Sequence, residues 1–201
     1  VANVDRSKLP SREEINRIYK EAVSRGEITN PRENVLFFDT LQPDVIHFNT
    51  TRIVMKNATS AEELTEAELM VREQCWEMFY FLKKYIAGFE NSYLQLTAPQ
   101  IGVRESRRIV GKYVLTEEDV LQGKKFDDSI CYCAYTVDIH NPSGTGTIIK
   151  YLKKGDYYGI PYRCLLPVNI DNLLIAGRPI SSTHEAHSSL RIMPTCTAIG
   201  E

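Results

Sequence analysis

The chain is 201 residues long, with 24 Lys plus Arg against 26 Asp plus Glu, a formal charge of -2, and 43% apolar residues. At about 150 residues per domain this is one domain, or one and a fraction, and the ordinary globular composition excludes a disordered chain. The charge balance speaks against non-specific nucleic-acid binding, which needs a basic face, and no run of about 18 apolar residues is present to span a membrane.

The first residue is Val1, and no charged stretch leads into an apolar one, so no signal peptide is read and a cytoplasmic setting is expected. Ser11 to Glu14 form a capping box. Ile15, Ile18, Tyr19, Ala22 and Val23 follow at helical spacing until Gly26. Val35 to Asp39 and Ile46 to Met55 read as strands on either side of Gln42-Pro43-Asp44. Ser60 to Glu63 is a second capping box, opening a helix expected over about 61–87. Its stripe is Leu64, Val71, Cys75, Met78, Leu82 and Ile86, with Trp76, Tyr80 and Phe81 widening the apolar face and Gly88 as the stop.

Further on, Tyr93 to Thr97 and Arg108 to Leu115 are strand candidates, and Thr116 can cap a brief helix over 117–121. Ile130 to Ile139 is a long β-branched and aromatic run, and 141–146 is a turn cluster. Ile148 to Tyr151, Tyr158 to Tyr162 and Arg163 to Leu166 read as short strands. Asn172 to Gly177 reads as a fully buried strand. Pro194 suits the start of a helix that the sequence leaves after about two turns, and the sequence is expected to be a piece of something longer. The five cysteines, Cys75, Cys131, Cys133, Cys164 and Cys196, are expected to be reduced core thiols. The mixed order of elements predicts an α+β fold, a largely antiparallel sheet with helices packed on one side.

Three segments could carry chemistry. The first is Arg178 to Arg191, a polar loop between the Leu173 strand and the Pro194 helix, the kind of place where open α/β sheets bind ligands. His184, Glu185, His187 and Arg191 supply acid, base and positive charge there. A metal reading of His184 and His187 lacks a third ligand at obvious spacing, and the Pro and Ser content argues against a regular helix. The second is Gly102 to Gly111, where Arg104, Arg107 and Arg108 could clamp a phosphate or carboxylate or form a solvated basic patch. The third is Asp138-Ile139-His140 at a strand end, with Tyr162-Arg163 similarly ambiguous.

Taken in order, these motifs resemble a family. Gly102-Val103-Arg104-Glu105-Ser106-Arg107-Arg108-Ile109-Val110-Gly111, then Asp138-Ile139-His140, then Tyr158 to Arg163, and most strongly Asn172 to Arg178 through Ser182 to Ala186 and on to Arg191-Ile192-Met193-Pro194-Thr195-Cys196, resemble the FAD-dependent oxidoreductases found widely in bacteria. The resemblance is close over about 100–201 and loose before it. It implies a flavin bound on a Rossmann-type domain, yet the Gly-x-Gly-x-x-Gly turn of such a domain occurs nowhere in the 201 residues. The chain is therefore expected to be the C-terminal portion of such an enzyme. Residues 1–157 would be a substrate-domain-like region, and 158–201 a strand-to-helix return segment of an incomplete FAD-binding domain.

Carried over, Gly177, Arg178, Met193, Pro194 and Thr195 would lie on the flavin side. His140, His184 and Arg191 would do the catalysis, and Arg104, Arg107, Tyr162 and Arg163 would bind substrate. The implied reaction is hydride transfer from a small polar or anionic substrate to FAD, with His140 or His184 taking the proton. No metal is implied. The portion alone would not retain FAD and would be inactive, its partners being the missing Rossmann domain, the small-molecule substrate and, through an exposed apolar flavin side, a second copy. The rival readings are a binding module that kept the fold without the chemistry and, behind it, a metal hydrolase built on His184, Glu185 and His187.

Overall fold

Two serines start the long helices where the sequence places them. Ser11 Oγ accepts from the Glu14 amide at 3.2 Å and begins α1, Arg12–Ser24, and Ser60 Oγ accepts from the Glu63 amide at 3.2 Å. The second of these helices, α2, is preceded by strands β1, Phe37–Asp39, and β2, Ile46–Phe48, and spans Ala61–Tyr85. Each cap satisfies a backbone N–H that has no partner inside its helix. The computed structural model of the chain describes residues 1–140 and 146–201, with His140 described by its backbone alone. The turn cluster read at 141–146 lies, apart from Gly146, outside the described residues.

Two compact units result. Unit 1 is 1–102 together with Gly146, and unit 2 is 103–140 together with 147–201. The division follows compactness and falls at Gly102, whereas the boundary at 157/158 drawn from the family resemblance divides the chain by role.

Unit 1 packs α1 and α2 around one core. Ile15, Tyr19 and Ala22 of α1 meet Met78, Phe81 and Leu82 of α2, with Val35, Ile46, Ile86 and Phe89 filling between them. Tyr19 and Phe81 lie edge to face at 5.6 Å, and the Tyr19 hydroxyl finds the Arg32 carbonyl at 3.0 Å. Each such large apolar side chain contributes about 1.5–3 kcal/mol on burial. The strand predicted over Ile46 to Met55 is paired only over β2, antiparallel to β1, and Tyr93 forms a single bridge to Ala2 in place of a strand. Trp76 and Tyr80, expected to widen the buried face of α2, point outward at 49% and 62% exposure. A 25-residue helix has room for both faces, and Met78, Phe81 and Leu82 already fill the inner one.

Unit 2 is built of α3, Glu117–Leu121; β3, Ser129–Cys133; β4, Val137–His140; β5, Thr147–Lys150; β6, Tyr158–Pro161; α4, His184–Leu190; and α5, Met193–Gly200. Its pairs are β3 with β6 and β4 with β5, both antiparallel. The class is α+β as expected, but among the described residues the antiparallel pairing comes as three two-stranded sheets over the two units, not one continuous sheet. The core gathers Leu115, Val120, Val137, Tyr158, Ile160, Ile180 and Leu190, all fully shielded from solvent.

Five expectations fail in unit 2, each for a local reason. The run 130–139 breaks into β3 and β4 because the chain changes partners, and Tyr135 between them is held by Ser189 Oγ at 2.6 Å and by Cys133 Sγ at 3.5 Å. Arg163 to Leu166 lies in a 3-10 turn, Tyr162–Leu165, whose Tyr162 amide bonds the Asp128 carbonyl at 2.8 Å. Arg108 to Leu115 exchanges hydrogen bonds with two loops, but these contain Pro167 and Pro179, which cannot donate, and only bridges form. The polar segment after Arg178 contains a regular helix, α4, because Thr183 Oγ1 caps it from the Ala186 amide at 3.3 Å. Asn172 to Gly177 is neither a strand nor buried. Asn172 takes a φ of 58°, Leu174 is 54% exposed, and Ile175 donates to the Leu165 carbonyl at 3.0 Å with no flanking strand among the described residues.

All five cysteines are free thiols, Cys133 and Cys164 buried and the other three half-buried. No described helix is long and apolar enough to cross a membrane.

Candidate functional site

The arginine-rich segment 102–111 is laid against the loop that leads into α4. Ile109 donates to the Pro179 carbonyl at 2.9 Å, Leu115 to Ser181 at 3.3 Å, and Thr183 returns a bond to Leu115 at 2.8 Å. The Arg178 guanidinium bonds the Val103 carbonyl. At the tightest point the Gly111 amide meets Ser181 Oγ at 3.0 Å, and a Cβ on Gly111 would stand 2.8 Å from Ser181 Cβ. Only a glycine lets these two segments close to this distance. Glu105 is thereby delivered to the first turn of α4, 79 residues away in sequence.

The site is organised around that carboxylate. Glu105 Oε2 lies 2.6 Å from His184 Nδ1, and Oε1 lies 2.7 Å from an Arg108 guanidinium nitrogen. His184 is the first residue of α4 and its side chain is 45% exposed. A carboxylate accepts, so Nδ1 carries the proton. Nε2, which makes no hydrogen bond among the described residues, is then the basic nitrogen. Such a carboxylate-held imidazole can take a proton from a hydroxyl or amine.

One turn on, His187 is fully buried. Its Nε2 lies 2.8 Å from the Arg178 carbonyl, which can only accept, so Nε2 carries the hydrogen. Nδ1 is buried without a hydrogen bond among the described residues, 3.8 Å from Glu105 Oε2. Burial lowers the His187 pKa, opposed by the Arg178 bond and Glu105, which favours the neutral ring. His187 therefore pins the Gly177-Arg178 corner. Arg191, at the end of α4, is lowered from its ordinary value by burial, with Asp138 and Glu105 acting on it as counter-charges. A guanidinium remains charged at neutral pH all the same.

The site thus brings together His184, His187, Arg191 and the backbone of Arg178, with Glu105 and Arg108 added. Arg104 and Arg107 lie exposed on the same segment. Tyr162 sits exposed on the 3-10 turn, and Arg163 is committed to Asp128, with Nε at 2.9 Å and a terminal nitrogen at 3.2 Å. The His140 side chain lies outside the described residues. Sequence reading gave Glu105 no role beyond balancing the charge of the 102–111 motif, and grouped His187 with the acid, base and metal-ligand candidates rather than with the buried residues that hold the corner. The available signal was that Glu105 is the one acid among three arginines. Among the described residues no group of three His, Cys, Asp or Glu is placed to hold a metal ion.

At this corner Gly177 takes a φ of 76° with open space where a side chain would stand. The amino end of α5 follows, with Pro194 in its first turn and no side-chain cap. Met193 is 84% exposed and Thr195 is buried, its hydroxyl donating to Cys133 Sγ at 3.3 Å. An uncapped helix start suits an oxygen-bearing ring or an anion.

The family model described as FAD dependent oxidoreductase matches residues 2–201. Neither the curated proteins nor the solved structures gave a match.

Proposed function

The chain belongs to the FAD dependent oxidoreductase family, and from that premise we propose that it forms the substrate-side part of a flavin enzyme oxidising a small polar or anionic substrate. The observation that carries this reading is the 2.6 Å contact between Glu105 and His184, which leaves Nε2 without a hydrogen bond among the described residues on a partly exposed imidazole.

The fit to the cofactor is partial. The open corner at Gly177 and Arg178 and the uncapped start of α5 at Met193, Pro194 and Thr195 suit the ring side of a flavin. The Gly-rich turn that would cradle its diphosphate is absent from the sequence. We therefore expect these 201 residues alone to release FAD and to be inactive until the cradle is supplied. When bound, FAD supplies the hydride acceptor for such an oxidation.

The remaining steps fall to the protein. Arg191 and Arg104 hold the negative or hydroxyl-rich end of the substrate. His184 Nε2 receives the proton released from the substrate hydroxyl or amine. Glu105 stabilises the resulting imidazolium through Nδ1–H, and Arg108 fixes the carboxylate. His187 keeps the Arg178 corner in place.

The test is anaerobic bleaching of the flavin in the holoenzyme that contains this chain, screened against small hydroxy and amino acids. Glu105→Gln and His184→Gln should each slow bleaching by about 10- to 100-fold. Equal rates in wild type and both variants would refute the assignment. A holoenzyme that takes up no flavin would favour the non-catalytic module.

A further inference from the structure

A second feature lies in unit 1 and is independent of the oxidoreductase site. On the outer face of α2, Glu66, Leu69, Glu73, Trp76, Tyr80 and Lys83 recur every three or four residues and so form one stripe. The opposite face carries the buried Ala67, Met78, Phe81 and Leu82. Leu69 is 63% exposed, Trp76 49% and Tyr80 62%. The Trp76 and Tyr80 rings already stack, with centroids 5.8 Å apart and planes at 27°, so little side-chain order remains to be imposed on binding. Large exposed aromatics grouped on one face mark an interaction surface.

The order of the stripe says what covers it. Reflected about the point between Gln74 and Cys75, Glu66 falls on Lys83, Leu69 on Tyr80, and Glu73 on Trp76. The pattern is complementary to its own reverse, acid against base at the ends, leucine against tyrosine next to them, and at the centre the Glu73 carboxylate against Trp76, whose indole N–H is a donor that a carboxylate can accept from. We propose that this face docks against the same face of a second copy, the two α2 helices antiparallel about a two-fold axis. Such an isologous contact needs one patch that fits itself, and this one does.

At 1.5 Å per residue, Leu69 and Tyr80 lie about 16 Å apart along the axis. Each would meet its counterpart across a helix separation of about 8–10 Å. Lys56 already meets Glu66 at 2.5 Å, and Lys83 donates to the Ser92 carbonyl at 3.0 Å. The end charges therefore set register and direction more than affinity. One helical stripe falls short of the roughly 800 Å² that a standard interface takes from each partner, so the association is weak and concentration-dependent.

Trp76 is the only tryptophan, so its emission reads this surface alone. Sedimentation velocity and Trp emission on the purified chain over a concentration series should show dimer and a blue shift rising together. Leu69→Glu should abolish both. Glu66→Lys and Lys83→Glu should each weaken dimerisation by about tenfold, and an equimolar mixture of the two should recover wild-type affinity, because every cross-pair is then opposite in sign. A chain that stays monomeric, a dimer that leaves Trp76 emission unchanged or survives Leu69→Glu, or a mixture no tighter than its components would overturn the proposal. So would an indole already shielded in the dilute monomer, which would assign the cover to another segment of the same chain. If Lys83→Glu fails to fold, Leu69→Glu read by Trp76 emission decides.

Discussion

Replacing Asp119 with Ala should destabilise unit 2 by about 2–3 kcal/mol at neutral pH, and the loss should fade in acid. Asp119 closes the capping box of α3, its Oδ2 accepting the Thr116 amide at 3.0 Å and the Tyr113 hydroxyl at 2.8 Å. Lys124 meets its other oxygen at 2.7 Å, and the carboxylate side chain is only 7% exposed. Loss of a cap costs about 1 kcal/mol, and each hydrogen bond to a buried charge adds about 1.5 kcal/mol or more. The half-exposed lysine contributes at the low end of that range.

Burial pushes the Asp119 carboxyl up, but the bonds from Lys124, Thr116 and Tyr113 outweigh it and hold it below its ordinary value. A carboxyl with a depressed folded pKa contributes stability that is present above the unfolded pKa of about 3.9. That contribution is lost as pH falls through the lower folded value. Urea unfolding read by the near-ultraviolet circular dichroism of the tyrosines measures the gap between wild type and Asp119→Ala at pH 7 and stepwise down to pH 3. The other carboxylates cancel in the difference. A gap that stays constant over that range, or is under about 0.5 kcal/mol at pH 7, would refute the reasoning.

Two further outcomes follow from packing. Gly111→Ala drives a Cβ to 2.8 Å from Ser181 Cβ and 3.1 Å from the Arg163 and Cys164 carbonyls. It should cost about 1–3 kcal/mol in thermal melts, part of it recovered in the double variant with Ser181→Gly. Additivity of the two changes would count against the contact. Burial pushes the Cys164 thiol up to about 12, and Cys133 is shielded as well. A thiol reagent at mildly alkaline pH should label neither in the native chain and both after unfolding, and mass mapping of a labelled Cys164 in the native chain would contradict this.

The helices were legible in the sequence because their signals are local. Ser11 and Ser60 cap within three residues, and Thr116 does the same for α3. Strand limits were not, since a strand ends where its partner does, and Ile130 to Ile139 carries no mark of the point at which β6 gives way to β5. The site was half legible. The density of charge at 178–191 and 102–111 located both halves, but the Glu105–His184 contact spans 79 residues and depends on Gly111 closing on Ser181. The outward turn of Trp76 was hidden for a simpler reason: composition says that an aromatic is apolar, not which side of a long helix has room for it.

The run Leu173-Leu174-Ile175, its two leucines exposed and its isoleucine half-buried, bears on how the chain behaves in a concentrated solution. Its side chains are apolar and its backbone is mostly unladdered, with Ile175 to Leu165 as its one bond outside the run among the described residues. An unpaired apolar segment of this kind is a template for strand addition between molecules. Asp171 ahead of it and Arg178 behind it stand where charged residues interrupt such growth. Neutralising Asp171 would leave the amino-terminal side of the run without that barrier, and slow turbidity on storage, rather than loss of fold, would be the first sign.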